Sequence, residues 1–377
     1  MRACFSRCLV VLAPLAVGCA TARPAGSPAV APEPPVVKAD PVKVVAKPDT
    51  PDALEFYDAD ILFTRGTEFL DNRYHADARV YFQKLVDEFP DSALAHPAHY
   101  NLGVCLMESG DPQSALAQFD RYLADEKDPK NQLDATFKRG SVLAMLGRYR
   151  DVITLFDALL EERELDAQDQ IEAMVDSGIG YFMTGDRATA EYRFQEAVKV
   201  HRAEEKDRRM DNSYFYAQAL FYLGEIERAE FNDFHLTLPA AGGEEKVAEQ
   251  LEEKCQRLLR AQYKFLQVIR TGHAGWASAA GYKVGTLYED LHDEMVKLPV
   301  PPDLTEEQAD LYRKEMRRKV AVLVRKAIKV WENTVQMARR TGAQNVWVGK
   351  TEQSLRRMQD LLREADESEG EQARASS

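Results

Sequence analysis
The sequence predicts an all-α superhelical solenoid of about six stacked helix pairs closed by a C-terminal capping helix. Three observations carry that expectation. From residue 53 onward apolar residues recur at helical spacing, with no strand-like alternation. A glycine recurs as Gly66, Gly103, Gly140, Gly178, Gly224 and Gly285, at intervals of 37, 37, 38, 46 and 61 residues. Twelve residues after the first four glycines stand Ala78, Ala115, Val152 and Ala190, and four further on Phe82, Phe119, Phe156 and Phe194. A glycine on one helix and a small residue on the next let two backbones approach, and the ring fills the space beside them. One such pair cannot bury its apolar face alone, so the pairs must stack.

Residues 1–18 read as an export signal. Arg2 and Arg7 precede an apolar run, Leu9–Val17, that is too short to span a bilayer. Its end, Leu15-Ala16-Val17-Gly18-Cys19, resembles a bacterial lipobox. The resemblance implies that Cys19 becomes the N-terminus, bearing a diacylglycerol and an N-acyl chain, with no other cofactor expected. Several acyl chains make such attachment effectively permanent, unlike one myristoyl group. Ala20 follows, which by similarity to the enterobacterial sorting rule implies the periplasmic face of the outer membrane of a Gram-negative bacterium. Residues 19–52 hold Pro24, Pro28, Pro32, Pro34, Pro35, Pro41, Pro48 and Pro51 and read as a tether. At ~3.1 Å per residue, polyproline chain of that length reaches up to ~100 Å.

Residues 53–204 read as four regular repeats. Gly110, Gly147 and Gly185 fall at the turn inside a pair, where a left-handed residue is needed, and Pro90 closes the first repeat. Together these positions resemble the tetratricopeptide repeat family, which implies a concave groove lined mainly by the first helix of each pair. Residues 205–364 read as two elongated pairs and the capping helix. In the fifth repeat a first helix near 212–230 is followed by a long connection, then a helix from about Glu244 to Arg270 in which Ala261 and Phe265 restore the small-then-aromatic pair. In the sixth, Trp276–Met295 leads to Pro299, Pro301 and Pro302, which end the helix. A long helix starts near Thr305, with Glu306 and Glu307 suited to its dipole, and presents Val320, Val324, Ala327, Trp331, Val335 and Ala338 to the core. The capping helix runs roughly 344–364, and 365–377 reads as a disordered tail.

The search for chemistry is mostly negative. No phosphate-binding loop, nucleophile elbow or His-Glu-x-x-His helix is present, Gly178-Ile179-Gly180 lies inside a helix, and His96 and His99 lack a third ligand, so neither an enzyme nor a metal site is expected. A net charge of −13 argues against nucleic acid as a partner, and no small-molecule substrate is expected. Cys105 and Cys255 lie three repeats apart, too far for a bond to be expected, and Cys105 reads as buried packing. The residue three before each repeat glycine points toward the groove: Phe63, Tyr100, Phe137, Val175, Phe221 and Tyr282. Such a ladder suits either binding of an apolar or helical peptide or the repeat's own packing. Met107, Met145, Phe182 and Met183 fall nearby, and methionine suits adaptable contacts. Phe63, Thr67 and Asp134 stand where members of the family that clamp a peptide carboxylate carry Lys and Asn, which rules out that receptor type. On the helix Arg313–Arg340, Lys314, Arg318, Arg325 and Lys329 share one face, read either as a solvated stripe or as a contact for an acidic partner or anionic headgroups.

Phe89-Pro90-Asp91-Ser92 followed by Ala98-His99-Tyr100-Asn101-Leu102-Gly103 resembles the repeats of the outer-membrane β-barrel assembly lipoprotein and of the Tol-Pal coordinator. The stretch from Trp276 through Pro299-Val300-Pro301-Pro302 to Trp331 loosely resembles the repeat lipoproteins of myxobacterial gliding motility. These resemblances imply a non-catalytic, lipid-anchored scaffold for protein partners in the cell envelope, as in gliding-motility machinery. The alternative is an accessory or pilotin for outer-membrane protein assembly, or a partner of peptidoglycan enzymes.

Overall fold
The computed structural model describes residues 41–47, 50–162, 165–207, 213–237, 244–300 and 304–375. Cys19, the signal segment and most of the proline-rich stretch lie outside the described residues. Two short strands, β1 (Lys43–Lys47) and β2 (Thr50–Tyr57), precede thirteen helices among the described residues. The first four pairs are α1 (Ala59–Asp71) with α2 (His75–Glu88), α3 (Ala95–Glu108) with α4 (Pro112–Asp125), α5 (Pro129–Met145) with α6 (Tyr149–Glu162), and α7 (Ala167–Thr184) with α8 (Arg187–Asp207). The elongated pairs are α9 (Tyr214–Asp233) with α10 (Glu244–Arg270) and α11 (Ala274–Val296) with α12 (Glu306–Thr341), after which α13 (Val346–Ala375) closes the array. The chain is a solenoid of helix pairs, as the periodicity predicts.

Local chemistry starts the helices where the sequence allows. Asp58, Asp111, Asp128 and Asp166 cap α1, α4, α5 and α7 by accepting backbone N–H bonds, and Pro112 and Pro129 occupy first-turn positions that need no donor. Thr305 and Gln308 form a reciprocal capping box at the start of α12.

The repeat glycine meets the repeat aromatic in all six pairs. A Cβ added to Gly66 would lie 2.8 Å from the Phe82 ring, one on Gly103 2.9 Å from Phe119, one on Gly140 2.3 Å from Phe156, and one on Gly178 2.7 Å from Phe194. In the elongated pairs the same test gives 2.7 Å from Gly224 to Phe265 and 2.0 Å from Gly285 to Trp331. Longer connections therefore leave the interhelical contact intact. Trp331 replaces phenylalanine and satisfies its indole by donating from Nε1 to the Tyr282 carbonyl at 3.1 Å.

Turn geometry follows the glycines as well. Gly110, Gly147 and Gly185 have φ of 78°, 69° and 93°, and the matching position of the first repeat is Arg73, with φ of 61°. Only there does a residue with a Cβ take the left-handed turn of a regular repeat.

Three features depart from the sequence reading. The stretch assigned to the tether and the onset of the first repeat carries the antiparallel hairpin β1–β2, with Val44 opposite Phe56 and Lys43 opposite Tyr57. Helical periodicity could not reveal it, because what holds it is contact with the first repeat. Tyr57 donates to Glu88 at 2.8 Å and sits edge-on to Phe89, while Lys43 pairs with the same Glu88 at 3.0 Å. Second, α13 continues to Ala375, past the expected end at 364. Six of the eleven added residues are Ala or Glu, whose intrinsic helix preference favours continuation without an apolar face.

Third, the elongated fifth pair is locked by a buried lysine. Lys254 of α10 is only 1% exposed and donates to the carbonyls of Phe231 at 2.8 Å and Phe234 at 2.6 Å. It pairs with Glu294 of α11 at 2.7 Å and lies 4.0 Å from the Phe231 ring centre. The other Glu294 oxygen accepts from the Leu236 amide at 2.7 Å. One ammonium thus satisfies two carbonyls at the end of α9 and ties α10 to α11.

Three stability outcomes follow, each measured by urea denaturation. Gly103→Ala overpacks the Phe119 contact and is expected to cost about 1–3 kcal/mol. Lys254→Ala removes the ammonium from Glu294 and the donor from the Phe231 and Phe234 carbonyls and is expected to cost about 3–5 kcal/mol. Arg73→Gly relieves the left-handed turn and is expected to stabilise by about 1 kcal/mol.

Candidate partner-binding groove
The backbones of successive first helices approach one another along the array, α1 to α3, α3 to α5, α5 to α7, α7 to α9 and α9 to α11, with Cα atoms within 8 Å, whereas those of successive second helices stay farther apart. The first helices therefore line the inner, concave side. Five of the six ladder residues are aromatic, and each of these rings sits beside the aromatic that fills its own repeat's glycine notch. Ring centres are 5.7 Å apart for Phe63 and Phe82, 5.8 Å for Tyr100 and Phe119, 5.6 Å for Phe137 and Phe156, 5.6 Å for Phe221 and Phe265, and 6.5 Å for Tyr282 and Trp331. Phe137 and Phe221 are buried, which corrects the expectation that they present their rings to a partner: both are spent on packing. Phe63, Tyr100, Met107, Phe182 and Tyr282 are partly exposed, and Met145 and Met183 are exposed.

At its C-terminal end the groove is filled by the chain itself. Trp347 of α13 lies 5.7 Å from Tyr282 and 6.3 Å from Phe221, and Trp276 lies 5.1 Å from Phe221 and 5.6 Å from Tyr214. Beneath these rings Glu225 is buried and held by Arg228 at 2.9 Å and Lys283 at 2.9 Å. The accessible part of the concave surface is thus that of the first four repeats.

That part has an acidic centre. Asp134 accepts from the Tyr100 hydroxyl, and Asp169, Glu172 and Asp176 follow at three- and four-residue spacing on one face of α7. Burial raises the Glu172 carboxyl to about 7, with Lys138 opposing and Asp169 and Asp134 reinforcing. Burial, then the charge of Glu172, raises Asp176 to about 8. The Tyr122 hydroxyl and the amides of Asp128 and Lys127 hold Glu126, by contrast, at about 2. Sequence reasoning missed Glu172 and Asp176. Their signal was positional: Asp134 and Glu172 both stand six residues before a repeat glycine, and Asp176 stands two before one.

The remaining candidates have ordinary partners. His96 stacks on Tyr122 with ring centres 4.5 Å apart and reaches Glu126 at 3.3 Å, whereas His99 bonds Gln118 at 2.7 Å, so the two imidazoles are engaged separately. Among the described residues no group of three or more His, Cys, Asp or Glu side chains is placed to hold a metal ion, and no helix is long and apolar enough to cross a membrane. Cys105 and Cys255 are free thiols, and burial pushes Cys105 up to about 11. Lys314, Arg318, Arg325 and Lys329 are all exposed on α12.

This geometry defines a class: a helix-pair solenoid with a concave, aromatic and acidic surface. Residues 63–132, from α1 into α5, match the tetratricopeptide repeat family, whose repeats mediate contacts between proteins. Among solved structures, MamA from Desulfovibrio magneticus RS-1 is 16% identical, covering 53% of this chain and 94% of that one, with a TM-score of 0.36. A structure of pilF from Pseudomonas aeruginosa is 12% identical, covering 78% and 97%, with a TM-score of 0.39. The apo form of RapI is 10% identical, covering 82% and 99%, with a TM-score of 0.46. No curated protein matches the chain.

The acidic centre sets a pH dependence. Unfolded, Asp176 titrates near about 4, so the folded state binds more protons between there and about 8, and stability falls as pH rises through that window. Asp176→Asn is expected to match the parent near pH ~4 and to exceed it in urea resistance at pH ~9.

Proposed function
We propose that this chain is a non-catalytic, lipid-anchored periplasmic scaffold that holds protein partners in the concave face of its first four repeats, within an outer-membrane or envelope-spanning complex such as gliding-motility machinery. The observation that carries the scaffold reading is the accessible groove itself, whose first helices bear the accessible Tyr100, Met107, Met145, Phe182 and Met183 together with the acids Asp134, Glu172 and Asp176. Aromatic and methionine side chains offer contact area that adapts to a partner, while acids kept from ionising by burial favour cationic side chains. A segment carrying both apolar and basic residues fits that surface. The lipobox-like Leu15–Cys19 and the prolines that follow it support the anchor and tether, which raise the local concentration of a partner at the membrane.

The test is affinity purification from cell envelopes of the intact chain, a Cys19→Ala form and a Met145→Glu/Met183→Glu form, with mass spectrometry of partners and of the N-terminus. An acylated Cys19 and a barrel or motor complex that is lost from the Met145→Glu/Met183→Glu form are expected. An unacylated N-terminus refutes the anchor, and partners retained by the methionine variant refute the groove. Recovery of wall enzymes alone favours the accessory reading.

A further inference from the structure
One helix of this acidic chain is locally basic. Arg313–Arg340 of α12 holds ten basic and two acidic residues in a chain of net charge −13. Its inner face, Val320, Val324, Ala327, Trp331, Val335 and Ala338, is buried. Roughly opposite, Leu311, Lys314, Arg318, Val322, Arg325 and Lys329 follow one another at steps of three or four residues and form one stripe. At 1.5 Å per residue that stripe is ~27 Å long. All six side chains are exposed, Leu311 at 67% and Val322 at 48%. Arg318 is braced by Glu315 through two hydrogen bonds of 2.9 and 2.6 Å, which leaves the guanidinium on the same face. Glu307 and Glu332 lie at the two ends of the stripe and temper its charge without interrupting it.

A merely solvated face would need the cations but not two large apolar side chains in line with them, Leu311 at one end and Val322 between Arg318 and Arg325. An acidic polypeptide would answer the cations, and needs an apolar match of its own to cover Leu311 and Val322. A bilayer with anionic headgroups answers both at once, because a straight helix laid along it meets negative charge at the surface and hydrocarbon just below.

We propose that the Leu311–Lys329 stripe of α12 is a membrane-contact surface that rests on anionic phospholipid headgroups, with Leu311 and Val322 entering the acyl boundary. It gives the array a second attachment far along the chain from Cys19. The proposal takes from the scaffold reading only that a bilayer is within reach, and its test needs no acyl chain.

The full chain carrying Cys19→Ala is mixed with vesicles of phosphatidylethanolamine and phosphatidylglycerol, or of phosphatidylcholine alone, and sedimented. Preferential binding to the anionic vesicles is expected, falling as salt rises. Arg325→Glu/Lys329→Glu is expected to weaken it at least about tenfold, because each cation near such a surface contributes appreciably. Leu311→Ser/Val322→Ser is expected to weaken it while leaving the salt dependence in place. These exposed positions leave the fold intact, which circular dichroism checks. Equal binding to both vesicle types, or unchanged binding by the charge-reversed chain, overturns the proposal. So does binding to polyglutamate that the Ser variants leave unaltered, with no uptake on vesicles, which makes an acidic polypeptide the occupant. Because Cys19 is absent from every sample, failure here is separate from failure of the lipid anchor.

Discussion
Everything in this array depends on one close approach, the glycine of each first helix against the aromatic ring of its second helix. A ring at 0% exposure with no space for a Cβ opposite it sets both how near the two helices lie and where each sits along the other. Repeating that contact repeats the pair, and stacking the pairs buries a continuous ribbon of core that no single pair could make. The ladder residue three positions before the glycine packs beside the same ring. The groove surface is therefore built on the helix contact, and its aromatic rings are half committed to the core before any partner arrives.

The elongated repeats show how firmly that contact governs. In the regular pairs the glycine and its aromatic stand sixteen residues apart, whereas Gly224 and Phe265, and Gly285 and Trp331, are separated by much longer stretches. The extra chain goes into longer helices and the connections between them, and the helices still meet at the same point. Length creates a new demand, since the end of α9 has open carbonyls within a buried setting. Lys254 meets it with a charge that α11 then neutralises through Glu294. A buried polar lock thus joins consecutive pairs here, whereas the polar links between regular repeats, such as Arg139–Asp120 and Arg193–Asp157, are more exposed.

Electrostatics divides the molecule by surface. The concave face of the middle repeats collects carboxyls, with Lys138 the nearby cation acting on Glu172, and burial keeps them from ionising fully. A cluster of ten cations stands instead on α12, on the outward side of the helix and beside it. At the C-terminal end of the groove the same kind of acid, Glu225, is already paired with Arg228 and Lys283 and roofed by tryptophans. One inner surface therefore has an end roofed by the chain's own rings and ion pairs and an end that stays open.

The sequence by itself determined the helix pairs, the six glycine notches and their aromatic partners, and the turn glycines, because each is a local or fixed-spacing requirement written in residue type. It also placed Thr305 and the basic face of α12, which follow from capping and helical period. Only the tertiary structure decided what required distant residues to meet. The β1–β2 hairpin exists because Tyr57 and Lys43 find Glu88. Phe137 and Phe221 become core because their own repeats close over them, and the groove ends where Trp347 returns to cover Tyr282. Glu172 and Asp176 are ordinary surface acids by their letters. It is the walls raised around them by neighbouring repeats that take away their water and change their chemistry.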